Sequence, residues 1–369
     1  MLHITSEEQY RRTLGELEPA MMLAVDTEAA GYHRYADRIC LMQVSTRGRT
    51  YVIDALALDL GLMRRTFAEP QREIVIHDAE FDLRLLARDY DIHVARLFDT
   101  KLAAQLLGEP SIGLASLAAR YLDIRLDKKH QRADWAQRPL PIELLEYAAS
   151  DTRHLLVLRD RLAEALRQAD RLHWAEEEFG LRSSPSFAPE DPDAYLRLKN
   201  IRDLDPRQLA ALREIHAWRD RLARERDVAP FRILSSDVMV AVARRMPHSP
   251  SDLNGTSGVD AAGQRHAREL VEAVARAREL PDDALPVRRR PPRRPPLDRE
   301  FEALIDRLKT ARDRQADELG LDRGFLMPRQ QLEEIATAQP STPDQLRSMS
   351  GIRKWQVEAL GEQILWALR

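Results

Sequence analysis

Residues 73–86 read EIVIHDAEFDLRLL, and the change of character within this stretch decides the fold. It opens with a short β-branched apolar run that suits a buried strand. From Phe81 its apolar residues fall at helical spacing, through FDLRLLARDY (81–90). A strand therefore passes directly into a helix. Three more strand-type runs precede it, MLAVD (22–26), ICLMQVS (39–45) and TYVIDAL (50–56), following one another as a meander would. Helical periodicity returns in TKLAAQLL (100–107), LASLAARYL (114–122) and one long segment from about Ile142 to Gln168. Strands first, with helices around them, predict an α/β domain: a mixed sheet covered by helices.

The chain has 369 residues, more than one average domain, so two or three are expected. A Ser/Pro-rich break, LRSSPSFAPEDPDAY (181–195), ends the strand signals, and the rest is helical in pattern. LPDDALPVRRRPPRRPPLD (280–298) is a second break, proline-rich and basic, which reads as a semi-rigid linker. Its Arg288, Arg289, Arg290, Arg293 and Arg294 could meet phosphate, but a solvated linker is the expectation. The boundaries are 1–180 for the mixed domain, 191–280 for a first helical bundle, 281–297 for the linker and 298–369 for a second bundle. The two bundles look duplicated, since APFRILSSDVMVAVARRMPHSPSDLNGTSGV (229–259) aligns by eye with RGFLMPRQQLEEIATAQPSTPDQLRSMSGI (323–352). Gly258 and Gly351 suit the left-handed turn that closes each pattern.

Composition narrows the function classes. At 44% hydrophobic and 32% charged, the chain is globular in type, and no run approaches the ~20 apolar residues of a membrane helix. MLHITSEEQYRR lacks the pattern of a secretion signal, so a cytoplasmic address is expected. Cys40 is the only cysteine, which excludes an internal disulfide and cysteine-rich zinc motifs. A net charge of −3 is not that of a bulk polyanion binder, so nucleic acid would be met by local basic patches.

The chemistry-bearing pattern is acidic. Asp26 and Glu28 lie at the end of the apolar run in AVDTEAAG (24–31), where residues two apart share a face of a strand. Two carboxylates so held repel unless a cation or proton lies between them; a strand running out into a polar turn is the plain alternative. Asp78, Glu80 and Asp82 fall near the start of the next helix, where acidic caps are common, and one or two of them are expected to be caps. Asp82 begins the apolar-periodic part and is expected to project toward the strand carrying Asp26. His77 suits orienting a carboxylate or phosphate, with a structural histidine as the alternative, and Asp99 reads as a helix cap. Tyr147 and Asp151, four residues apart in LEYAASDTRHLL (145–156), share a helix face. Asp26, Glu28, Asp82 and Asp151 together balance about two divalent cations, Mg²⁺ or Mn²⁺ by their oxygen chemistry. Two such ions ~4 Å apart suit phosphodiester hydrolysis, with Tyr147 positioning or helping to deprotonate the attacking water.

VDTEAAG (25–31), HDAEFDLRLL (77–86) and YAASDTRHLL (147–156), in this order, resemble the three exonuclease motifs of the DEDD superfamily in its tyrosine-containing branch. RADWAQRPLPIELLEYAASD (132–151) is similar to the ribonuclease D family in particular, and the two bundles resemble its helicase-and-ribonuclease-D C-terminal (HRDC) domain, present twice. The resemblance implies an RNase H-like sheet and hydrolysis of single-stranded RNA from the 3′ end, with tRNA precursors as expected substrates. It also implies that Asp26, Glu28 and Asp151 hold the metal that activates water, and that Asp26 and Asp82 serve the second. The chain departs from the pattern at Ala29, Ala30 and Gly31, where many members carry a bulky residue after the glutamate, and at His154, often tyrosine.

Lysine occurs only at 101, 128, 129, 199, 309 and 354, so the Lys128-Lys129 pair stands out. With His130, Gln131 and Arg132 it precedes ADWAQRPL (133–140), and this loop is expected to touch the strand's phosphates. Trp135 is placed with these nucleic-acid contacts, although a packed tryptophan is the commoner fate. Arginine-rich faces around Arg219 to Arg226 could bind RNA, but the acidic residues interleaved with them resemble a solvated surface; the helical modules are expected to help capture or orient structured RNA. A monomer without an organic cofactor completes the reading. Its alternatives are a DNA exonuclease of repair or proofreading type and a nucleic-acid-binding scaffold without chemistry.

Overall fold

A computed structural model describes residues 1–127, 129–183, 191–256, 259, 265–287 and 299–369. Lys128, Gly258 and the linker arginines Arg288, Arg289, Arg290, Arg293 and Arg294 lie outside the described residues. The described chain forms two compact units: residues 1–28, 39–187 and 294–369 make the first, and residues 29–38 and 188–293 the second.

The first unit is built on a six-stranded sheet of β1 (Leu2–Ile4), β2 (Met22–Ala29), β3 (Ile39–Ser45), β4 (Thr50–Asp54), β5 (Glu73–Ile76) and β6 (Leu97–Asp99), in the order β1-β4-β3-β2-β5-β6. β3 and β4 pair antiparallel, whereas β1 with β4, β2 with β5 and β5 with β6 are parallel, so the sheet is mixed as expected. Every residue of β3, β4 and β5 is buried, the mark of a sheet covered on both faces. β2 and β5 pair in register from Met22 with Glu73 to Ala24 with Val75, which brings Asp26, within β2, level with His77 just past the end of β5. Ligand sites of such sheets form beyond the carboxyl ends of parallel strands.

The segment expected to be one helix is two, Ile142–Arg153 and Leu155–Gln168, parting at His154. Each piece is tied to a different strand. Thr152 Oγ1 bonds Ser45 Oγ of β3 at 2.8 Å, while Arg159 grips Glu73 of β5 through two bonds of 2.5 and 3.0 Å. The break leaves Asp151 in the last turn of the first helix.

Residues 299–369 form a helical module that falls in the same compact unit as the sheet. The Leu172–Arg182 helix receives them. Glu177 accepts the N–H groups of Lys354 and Trp355 at 2.8 and 3.0 Å, capping the Lys354–Ala367 helix from outside, and Trp174 stacks on Trp355 at 5.3 Å. Arg171 joins the carbonyls of Leu106 and Leu319 at 2.8 and 2.7 Å. Beside it, a Cβ on Gly108 would stand 1.9 Å from the Gly320 carbonyl oxygen, and its φ is +73°, so only glycine fits.

The duplication is plain in the helices. Pro206–Arg226 and Arg299–Leu319 are both 21 residues long, and each is followed by a four-residue helix and a ten-residue helix that ends on a left-handed residue, Met246 or Gln339. Arg219 and Arg312, at the same place in the two long helices, are buried and donate to the carbonyls of Leu234 and Met327 at 3.3 and 3.0 Å. Arg219 therefore holds the first bundle together and is not part of an RNA-facing surface. The bundle core of the second unit gathers Leu209, Leu212, Ile215, Trp218, Val238 and Leu270.

Candidate active site

β2 carries Asp26 and Glu28 out of the sheet on one face, and the Ile142–Arg153 helix brings Asp151 against them. Carboxylate oxygens of the three lie within 4.8 Å of one another. Among the described residues, no lysine or arginine pairs with any of them. Burial, followed by the charges of Asp82, Glu28 and Asp151, holds the Asp26 carboxyl well above its usual range. Burial and the charges of Asp151 and Asp82 do the same to Glu28, and burial raises Asp151 to about 7. These groups prefer to keep protons or to share a cation.

Asp82 reaches the cluster from the first turn of the Glu80–Tyr90 helix, but it stands outside the three-carboxylate set. It accepts a short hydrogen bond from Thr27 Oγ1, and burial raises it to about 7 although that bond works in the opposite direction. Thr27, between the two motif carboxylates and on the other face of the strand, thus ties β2 to the helix of Asp82. Sequence reading missed it, and a threonine inside an Asp-X-Glu alternation was the available signal.

The acidic residues expected to cap the Glu80–Tyr90 helix do not, whereas Asp99 is a cap as expected. Asp78 pairs with Lys101 and Glu80 with Arg182, and no side chain caps the Glu80–Tyr90 helix. Asp99 is the cap in this region. Its carboxylate takes the N–H groups of Lys101 and Leu102 and, across the sheet edge, those of Asp78 and Ala79 at 3.1 and 2.9 Å. His77 Nδ1 is 3.0 Å from Thr100 Oγ1, and burial pulls its pKa down, so the ring is neutral near pH 7.

Tyr147 is buried one helical turn before Asp151, where burial and then the charges of Asp151, Glu28 and Asp26 push its phenol upward. Trp135 stacks on it at 6.0 Å, and His130 meets it edge-on at 5.6 Å. At 2% exposure Trp135 offers no face to a base, which corrects its placement among the nucleic-acid contacts: it backs Tyr147. The loop that carries it is locked by Arg138, which holds Asp54 of β4 at 2.7 and 2.8 Å and donates to the Trp135 carbonyl at 2.7 Å. Lys129 is exposed and paired with Asp127 at 3.2 Å, and Arg132 is also exposed.

Over the cluster lies a cleft of about 260 Å³, whose lining includes Asp26, Tyr147 and Asp151 together with His77, Asp127 and Gln131. A larger hollow of about 680 Å³ beside β1 holds Arg12 and Arg49, both paired with Glu16, and no acidic cluster. Chemistry belongs to the smaller one.

Comparison with known proteins agrees with this geometry. A 3′–5′ exonuclease family matches residues 1–167, and the HRDC domain family matches residues 208–274 and 301–368. Ribonuclease D of Gluconacetobacter diazotrophicus is 31% identical over 288 residues, covering 77% of this chain and 73% of that protein. An exosome complex component 10 homolog of Drosophila melanogaster is 30% identical over 76% of this chain, but the match spans only 32% of its length. The crystal structure of Escherichia coli RNase D, described as an exoribonuclease involved in structured RNA processing, superposes with a TM-score of 0.72 at 26% identity over 99% of this chain and 98% of that one. The ordered acidic motifs, the mixed sheet and the paired helical modules thus have one explanation: the chain belongs to the ribonuclease D family of 3′–5′ exoribonucleases.

Proposed function

We propose that this protein shortens RNA from its 3′ end by hydrolysis that releases nucleoside 5′-monophosphates, acting on structured RNAs with unpaired 3′ extensions such as tRNA precursors. The observation that carries the reading is the meeting of Asp26, Glu28 and Asp151 within 4.8 Å with no cationic partner among the described residues. Hard oxygen donors and protons held against their nature fit Mg²⁺ or Mn²⁺. In this reading Asp26, Glu28 and Asp151 hold one ion, and Asp26 with Asp82 a second. Divalent ions held by these residues would lower the pKa of a water and offset charge on a leaving oxygen.

The chain's own residues supply the rest. Tyr147, one helical turn before Asp151, orients the attacking water or helps to deprotonate it. Trp135 and the Arg138 clamp fix that phenol in place. Thr27 fixes Asp82. His77, Lys128, Lys129 and Arg132 are the proposed contacts to the strand's phosphates. The reading also takes the protein as a cytoplasmic monomer, which the single buried thiol of Cys40 suits, and no described helix is long and apolar enough to cross a membrane. It keeps the domain boundaries at 180, 191, 280 and 298 as functional limits.

The test compares labelled single-stranded RNA and the matching DNA with Mg²⁺ or Mn²⁺. Faster shortening of RNA is expected; faster shortening of DNA would move the protein to repair or proofreading. Retained RNA binding with neither strand shortened would make it a scaffold.

A further inference from the structure

We infer that Tyr32, Phe231 and Arg232 form a stacking platform for unpaired bases of the RNA. The inference rests on the exoribonuclease reading above. All three residues belong to the second unit, in which residues 29–38 pack with the first helical bundle. Among the described residues of that unit, Tyr195 and Trp218 are 2% and 6% exposed, and Tyr35 is half-buried. Tyr32 and Phe231 are 44% and 50% exposed, with ring centroids 5.4 Å apart. The rings are tilted by 51° to one another, so each half-open ring offers its own apolar face on which a base can stack.

Arg232 converts the pair into a nucleic-acid surface. Its guanidinium lies 5.1 Å from the Tyr32 ring centre and 5.8 Å from that of Phe231. Its hydrogen bonds go to the Tyr32 carbonyl and to His33 Nδ1, both at 3.0 Å. Neither partner is an anion, so among the described residues this positive charge has no carboxylate to offset it. An uncompensated planar cation among exposed rings matches a phosphate beside a stacked base. An apolar protein segment would bury that charge without a partner, which argues for RNA as the occupant.

The platform is preformed. The Ala229 N–H donates to the His33 carbonyl at 3.3 Å, and the Tyr35 hydroxyl donates to Asp220 at 2.9 Å, which pins the 29–38 segment to the bundle. Binding then orders the RNA alone.

The experiment measures binding of a labelled oligouridine and of an abasic strand of equal length to the full chain, in an Asp26→Asn background that leaves the strand intact. Phe231→Ala and Tyr32→Leu are expected to weaken oligouridine binding about tenfold each, with Phe231→Tyr retaining it, while the abasic strand binds all proteins alike. Equal oligouridine binding by all variants, or an equal loss on the abasic strand, would overturn the platform. Should a variant fold poorly, photocrosslinking of 4-thiouridine RNA to the unmutated rings decides: adducts on the peptides carrying Tyr32 or Phe231 support it, and adducts only elsewhere refute it. Shortening of RNA by the wild-type chain is scored separately. Its absence defeats the exoribonuclease reading, whereas its presence with unaffected variants defeats only the platform.

Discussion

Replacing Asp151 by asparagine should make the metal-free protein more stable at alkaline pH while abolishing its activity. Burial raises the Asp151 carboxyl from its ordinary 3.8 to about 7. The folded state therefore keeps a proton that the unfolded chain gives up. Folding binds protons over this window, so stability falls as pH rises from about 4 through about 7, and the loss is complete above it. At ~1.4 kcal/mol per pH unit, the interval stands for at most ~4 kcal/mol. Local relaxation and water entry reduce this to roughly 2–3 kcal/mol. Asp82, also raised to about 7, acts in the same direction, but the two share a cluster and their effects do not add. Asp151→Asn removes the buried charge and keeps the shape. With a chelator at pH 8, its Tm should exceed the wild-type value by about 5 °C or more, the gap should shrink to less than half at pH 5, and the two should nearly coincide close to pH 4. Saturating Mn²⁺ should reverse the order, since the wild-type cluster gains a counter-charge that the variant holds poorly. A variant no more stable than wild type at pH 8 without metal would refute the reasoning.

Other expectations concern single contacts. Tyr147→Phe should lower kcat by about 10²-fold and leave Mn²⁺ affinity, measured by titration calorimetry, unchanged; an unaltered kcat at saturating metal would exclude the phenol from water positioning. Thr27→Val should reduce kcat, and Thr27→Ser should restore it, because the hydroxyl bond to Asp82 is the feature removed and returned. Equal rates in all three proteins would show that the bond has no part in placing Asp82. Gly108→Ala should lower the Tm by several degrees through the clash with the Gly320 carbonyl and its φ of +73°, as scanning calorimetry would record.

The sheet and the acidic cluster were legible because their signals are local. EIVIHDAEFDLRLL announces its own strand-to-helix change, and Asp26-X-Glu28 fixes two carboxylates by the period of a strand alone. β1 and β6 were not foreseen, since three residues carry no period. The break at His154 follows from Thr152 and Arg159 being drawn to different strands, a tertiary competition that helical periodicity does not record. Thr27 and Asp82 are 55 residues apart, so their bond has no local trace. Acidic residues at a helix start read as caps by frequency. Here Asp78 and Glu80 found basic partners in Lys101 and Arg182, and Asp99 supplied the N–H groups' acceptor. Trp135 and Arg219 were read by residue type, and their burial followed from neighbours distant in the chain.

The central claim is metal-dependent removal of nucleotides from RNA 3′ ends at the cluster of Asp26, Glu28 and Asp151. Incubating 5′-labelled single-stranded RNA with the protein and Mg²⁺ or Mn²⁺, beside Asp26→Asn and a chelator control, tests it most directly. The account predicts a ladder that shortens one nucleotide at a time with the wild-type chain and an intact strand in both controls. Intact RNA with the wild-type protein in either metal, or a ladder undiminished in Asp26→Asn, would contradict it.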